Sequence, residues 1–382
     1  MTENNSYFIA LTGAKKNIGD YLITERGISL LKHILPEYQY HVHPNWLEIN
    51  DIRYINESNG IIILGGPGYQ MNMFPDVYNF VADINAVKVP IYLLGSGWYG
   101  KPGDKISEQL YRFTDSSKKV LSKINSSIAG LSCRDYQSIR VLNANGFENA
   151  VMTGCPVWYD IDSLNKEFIV PSKIKRILFT PAQRVVYSNQ TIEILKFLKR
   201  KYNDTEIIVS FHRGLGYTDE YTQKSDADNT LRIANIAKKL GMEVIDVAYD
   251  LKKIKFYEEC DLHIGYRVHA HIYFLSKRMP SVLIHEDGRG TGATEALKSP
   301  GINAYSTRKL FSNFFRVFKR NILLARTYGK IGLKINQNVI HELNKILYDV
   351  EKDSFNIYKE VAQQIDDKYI VMENFIKNIV NR

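Results

Sequence analysis

Residues 262–284 read LHIGYRVHAHIYFLSKRMPSVLI. Leu262 to Gly265 is an apolar run closed by glycine, Val268 to Lys277 has neither glycine nor proline, and Ser281 to Ile284 is a second apolar run begun by Pro280. This is the pattern of strand, helix and strand, and runs apolar on both faces are expected where helices cover both sides of a sheet. The sheet is therefore expected to be mostly parallel.

The same alternation extends outward from this unit. Upstream of it, Ile177 to Thr180, Glu206 to Phe211 and Glu243 to Val247 are strand-like, with helical patterns at Thr191 to Lys201 and Leu231 to Leu240. Further upstream, a separate series comprises Tyr7 to Thr12, Ile61 to Leu64, Ile91 to Leu94, Ser127 to Leu131 and Ala150 to Thr153, with a helix from about Tyr21 to Leu35 stopped by Pro36. Between the two series, Asp160 to Lys175 lacks a period. The reading is two Rossmann-like α/β domains facing a cleft, at 1–160 and 176–350, with a linker at 161–175 and a C-terminal helix at 351–382 that returns to brace the first domain. A chain of 382 residues suits two cores.

Composition excludes several classes. With 45% hydrophobic and 24% charged residues the chain is a globular protein. Its apolar runs are far shorter than the ~20 residues of a membrane-spanning helix. The first residues, MTENNSYFIALTG, carry no secretory pattern, and Cys133, Cys155 and Cys260 are too far apart for a disulfide framework or a paired-cysteine metal site. A cytoplasmic protein is expected. The net charge of +9 is concentrated, because no acidic residue lies between Glu295 and Glu342 while nine lysines and arginines do. Within that stretch Phe311, Phe314, Phe315, Phe318 and Ile322 recur at helical spacing beside Arg316, Lys319 and Arg320. Two readings fit such a helix: a packed surface helix with a solvated basic face, or a peripheral dock for an anionic membrane surface or a lipid-linked substrate. No zinc finger, RNP motif or basic zipper accompanies the charge, so nucleic acid is not expected as a partner.

Open parallel sheets bind ligands beyond the carboxyl ends of their strands, so the loops there carry the candidates. Gly13 to Asp20 is a glycine-containing turn with Asn17 and Asp20, able to receive an anion or simply to cap a helix through Asp20. Gly65 and Gly66 permit close approach of a ligand, and Trp98 and Tyr99 offer flat faces for sugar rings, unless they only pack. Arg134 precedes Asp135, a helix N-cap candidate, and His212 with Arg213 follows a strand. Arg267 and His269, two residues apart at a helix start, can together hold an anion and move a proton. His263 and His271 read as packed histidines. Arg289, in a glycine-rich turn, is a further counter-charge for phosphate.

Taken in order, NIGDYLI, LGGPG, LSCRDYQS, VMTGCPV and GYRVHAHIYFLSKRMPSVLI resemble the polysaccharide pyruvyl transferase family over most of the chain. The resemblance implies a fold similar to the two-domain GT-B arrangement. It implies transfer of a pyruvyl group from phosphoenolpyruvate to two hydroxyls of a cell-surface glycan, giving a cyclic ketal, with no metal or organic cofactor. By the family's Arg-x-His motif, His269 is the general acid or base and Arg267 the phosphate or carboxylate clamp. Arg134, His212, Arg213 and Arg289 fall on the donor side, and Asn17, Asp20, Gly65, Gly66 and Trp98 on the acceptor side. This chain departs from the family at Gly154-Cys155-Pro156, where Gly-Asp-Pro is usual, and at His285 to Arg289, where an Asp and a Lys are usual. Two rival readings remain: a GT-B glycosyltransferase using a nucleotide sugar, with Asp287 and Glu295 as paired carboxylates, and a non-catalytic glycan-binding member of the family.

Overall fold

The computed structural model describes residues 6–100, 103–127, 129–217, 219–307 and 333–380. The basic amphipathic stretch with Phe311 to Ile322 lies outside the described residues. The first half holds β1 (Tyr7–Thr12), α1 (Ile18–Ile34), β2 (Gln39–Pro44), α2 (Ile52–Asn56), β3 (Gly60–Leu64), β4 (Ile91–Leu94), α3 (Lys105–Leu110), α4 (Asp115–Asn125), β5 (Leu131–Cys133), α5 (Tyr136–Asn143) and β6 (Ala150–Met152). Its four-stranded parallel sheet has the order β2-β1-β3-β4. A bridge between Ser96 and Cys133 continues it toward the parallel pair β5-β6.

The second half holds β7 (Arg176–Thr180), α6 (Ser188–Lys201), β8 (Glu206–Phe211), α7 (Lys224–Lys239), β9 (Glu243–Asp246), β10 (Leu262–Gly265), α8 (Val268–Ser276), β11 (Ser281–His285), α9 (Gly288–Leu297) and β12 (Gly301–Asn303). These six strands form one parallel sheet in the order β12-β11-β10-β7-β8-β9. A short antiparallel pair, β13 (Tyr305–Thr307) and β14 (Leu333–Ile335), precedes α10 (Val339–Lys352) and α11 (Ile357–Val380).

α1 shows how sequence positions the cleft. Ile18, Leu22, Ile23, Leu30 and Leu31 are buried at helical spacing, and the helix stops at Ile34 because a residue before proline, here Leu35, is disfavoured in the helical region. Its N-cap is Asn17, so Asp20 lies inside the first turn and does not cap the helix. α11 buries Tyr358, Val361, Ile365, Met372, Phe375, Ile376 and Ile379 on one face. It crosses back to the first half, where the Tyr92 hydroxyl donates to the Ile379 carbonyl at 3.0 Å, and completes the GT-B-like arrangement. Residues 161–175 are pinned: Phe168 stacks on Tyr358, and the Ile169 N–H donates to the Arg278 carbonyl at 2.8 Å. No helix among the described residues is long and apolar enough to cross a membrane.

The two halves meet along a polar and glycine-lined seam. Lys16, almost fully buried, pairs with Asp219 at 2.8 Å, and Arg140 joins Glu108 of its own half at 2.6 Å to Glu295 of α9 at 2.9 Å. Gly103 and Gly288 face each other, and the Gly288 N–H donates to the Gly100 carbonyl at 3.0 Å.

Candidate active site

The carboxyl ends of both sheets open onto one cavity of about 310 Å³. From the first half it is lined by Gly13, Asn17, Asp20, Asn45, the loop Gly65 to Gly68, Gln70, Tyr78 and Arg134. The second half contributes His212, Arg213, Tyr266, Arg267, His269, Glu286 and Arg289. Of the eleven residues singled out from sequence, ten line this cavity and Trp98 does not. Trp98 is 2% exposed, and its ring packs edge-on against Tyr111 at 5.4 Å, inside the core of the first half. The expectation of a sugar-stacking surface there is therefore corrected. Tyr99 instead lies under the Arg289 guanidinium, 4.8 Å from its ring centroid.

Arg267 is the N-cap of α8, held by its N–H to the Thr180 hydroxyl at 3.3 Å and by its guanidinium to Gln183. Its Nε and the Nη2 of Arg134 are buried without a hydrogen-bond partner, as is Nε2 of His269. Burial pushes Arg267 down to about 10. Burial, with Arg134, Arg289 and Arg267 nearby, pushes His269 down to about 3, so its ring is neutral at pH 7. His212 is likewise pushed below its ordinary value by burial and by Arg267, and its Nε2 meets the Tyr257 hydroxyl at 3.0 Å.

Two carboxylates face this cationic group, one from each half. Asp20 Oδ2 accepts from the Asn17 amide at 3.2 Å, and burial pushes its carboxyl up against the opposing pull of Asn17, Arg213, Arg289 and Arg134. Glu286 Oε1 accepts from the backbone N–H groups of Gln183 at 2.9 Å and Arg184 at 3.1 Å, and burial pushes it up while Arg267 opposes. Sequence reasoning missed Glu286, because its amide partners lie about a hundred residues away and its own stretch reads as a charged turn. It also missed the role of Gly19. A Cβ at Gly19 would lie 2.0 Å from His269 Nδ1, so the imidazole of one half occupies the space a side chain of the other half would take.

Three further sequence expectations are settled by geometry. Asp135 caps α5 by accepting from the Ser138 N–H at 2.7 Å, with Arg134 Nε at 3.7 Å. Asp287 caps α9 and chelates Arg289 at 2.9 and 2.8 Å, whereas Glu295 is taken by Arg140, so these two do not form a carboxylate pair at the donor. At the departures from the family pattern, Cys155 is fully buried, and His285 ties β11 to Asn303 of β12 at 2.9 Å and to Thr294 of α9 at 3.2 Å. Among the described residues no group of three or more His, Cys, Asp or Glu side chains is placed to hold a metal ion.

Four arginines, Arg134, Arg213, Arg267 and Arg289, and two histidines, His212 and His269, line this one cavity between two parallel-sheet halves, and cavities of this kind are where ligands of such folds are held. The chain belongs to the polysaccharide pyruvyl transferase family, whose family model matches residues 17–287. No curated protein is found as a sequence relative. Among solved structures, Staphylococcus aureus MnaA with UDP has 13% identity over 92% of this chain and 97% of its own, with a TM-score of 0.48. The wall teichoic acid polymerase TagF has 14% identity over 100% of this chain and 92% of its own, with a TM-score of 0.42.

Proposed function

We propose that the protein transfers the pyruvyl group of phosphoenolpyruvate to two hydroxyls of one sugar in a cell-surface polysaccharide, forming a cyclic ketal and releasing phosphate. The observation that carries this reading is the convergence of Arg134, Arg213, Arg267 and Arg289 on one cavity beside His269. A donor with a phosphate and a carboxylate has two anionic ends, and guanidinium groups with unpaired N–H groups suit both. In the reaction the donor's C3 takes a proton and the first hydroxyl adds to C2. The C2–O bond to phosphate then breaks, and the second hydroxyl closes the ring. Two hydroxyl protons are released; one is balanced by the new methyl group and the other leaves on phosphate.

His269 is the acid for C3. Burial first, and then Arg134, Arg289 and Arg267 beside it, keep it neutral, and the negative charge of a bound donor raises its proton affinity. Asp20, on the acceptor side with Asn17 and the Gly65-Gly66 loop, takes the hydroxyl proton, while Glu286 orients the donor side opposite Arg267. The test is thermal stability with phosphoenolpyruvate against a panel of nucleotide sugars. A ligand at 100 times its Kd stabilises the fold by ~2.7 kcal/mol. The expected shift is with phosphoenolpyruvate and is lost in Arg267→Ala; a shift with a nucleotide sugar alone overturns the reading. Peripheral contact with an anionic membrane surface through the basic stretch belongs to the same proposal. Changing Arg316, Lys319 and Arg320 together to Glu is expected to reduce pelleting with phosphatidylglycerol vesicles, and unchanged pelleting removes the membrane contact.

A further inference from the structure

Behind the cavity, five buried side chains that the mechanism does not use form a continuous hydrogen-bonded line ending at Arg267. The Arg267 N–H donates to Thr180 Oγ1 at 3.3 Å, and Thr180 Oγ1 meets His263 Nε2 at 2.8 Å. His263 Nδ1 meets Ser281 Oγ at 2.7 Å, and the same oxygen meets His271 Nδ1 at 2.7 Å. His271 Nε2 then meets Ser299 Oγ at 2.9 Å. Both rings and Thr180 and Ser281 are fully buried. The Ser281 backbone is clamped in turn by the Tyr358 hydroxyl of α11, which accepts from its N–H at 3.0 Å and donates to its carbonyl at 2.8 Å.

Only one proton order satisfies every fully buried member within the line, Ser299 at its far end being 8% exposed. A backbone N–H only donates, so Thr180 Oγ1 accepts from Arg267 and turns its own proton to His263 Nε2. His263 then carries its proton on Nδ1 and donates it to Ser281, whose single proton goes to His271 Nδ1. His271 therefore carries its proton on Nε2 and donates to Ser299. In the reverse order the Thr180 proton has no acceptor on this line, and an unsatisfied buried hydroxyl is costly. The two rings are neutral in either order, as burial pushes both below their ordinary value.

We propose that Thr180, His263, Ser281 and His271 are positioning residues whose proton-ordered line fixes the Arg267 backbone, and with it the guanidinium and the His269 helix, for an anionic donor. The inference rests on the phosphoenolpyruvate reading for its binding test only. Long-range ¹H–¹⁵N spectra of the full-length protein are expected to show His263 as the Nδ1–H tautomer and His271 as the Nε2–H tautomer. Thr180→Val, which keeps the shape and removes the hydroxyl, is expected to weaken phosphoenolpyruvate binding by ~10-fold, with Thr180→Ser restoring it. Opposite tautomers, or Thr180→Val binding the donor as tightly as the parent protein, overturn the proposal. If the parent protein does not bind phosphoenolpyruvate, the functional reading fails, and the tautomers alone decide the line.

Discussion

At residue 19 the absence of a side chain shapes the neighbouring half. Alanine is favoured over glycine inside a helix by ~1 kcal/mol, but a Cβ here would lie 2.0 Å from His269 Nδ1 and 2.8 Å from the His269 Cβ, which no rotation of the ring relieves. The imidazole has to leave its place and the two halves have to part slightly, so Gly19→Ala is expected to lower the melting temperature. A positioned acid is worth ~10² to 10⁴ in rate, and Gly19→Ala is expected to lose as much transfer as His269→Ala does, measured as phosphate released with a sugar acceptor. Transfer close to the parent rate in Gly19→Ala would show that the ring does not act from this position. At the same scale, Trp98 and Glu286 mark what was not legible in the sequence. An aromatic beside glycines reads equally as a sugar platform or as core, and only the contact with Tyr111 decides. A buried carboxylate is recognisable only with the backbone amides of Gln183 and Arg184 that receive it.

Among the elements, strands buried on both faces were legible and the edge strand β2 was not. β3 is buried at every position, and such an apolar run has few alternatives, whereas Gln39–Pro44 mixes polar and aromatic residues because β2 is the sheet edge and half-exposed. β5 was expected at Ser127 to Leu131 and lies at Leu131–Cys133, because Ser132 is as fully buried as its apolar neighbours. The β11 to β12 junction carries a pH consequence. Burial holds His285 down to about 4 against an ordinary value of 6.5. Between those values the unfolded chain binds a proton that the folded one refuses, so this side chain makes stability rise with pH at up to ~1.4 kcal/mol per pH unit. Its contribution is complete above pH 6.5 and is lost as the pH falls toward 4. His285→Gln is expected to show a shallower loss of stability between pH 6.5 and 4, read from urea midpoints. A slope equal to that of the parent would mean that His285 is protonated in the fold.

Across the whole molecule, the halves are joined by the seam as well as by α11. Gly103 sits in the left-handed region at φ 88°, and a Cβ there would lie 2.2 Å from the Gly288 Cα, where no rotamer gives relief. Gly103→Ala is expected to cost ~1–3 kcal/mol from backbone strain alone, and to weaken phosphoenolpyruvate binding because the arginines come from both sides of the seam. An unchanged urea midpoint with unchanged binding would show that the seam tolerates opening. The two-sheet architecture and most of the cleft-lining residues were legible because each strand end carries its own local signal. The seam was not, because its contacts join glycines and charges far apart in sequence.

The packing of His269 against Gly19 also bears on recombination between relatives. A chimera that takes its first half from another protein inherits the His269 ring from the second half but its socket from the donor of the first. Such exchanges retain the ring's placement only where the incoming helix also lacks a side chain at this position.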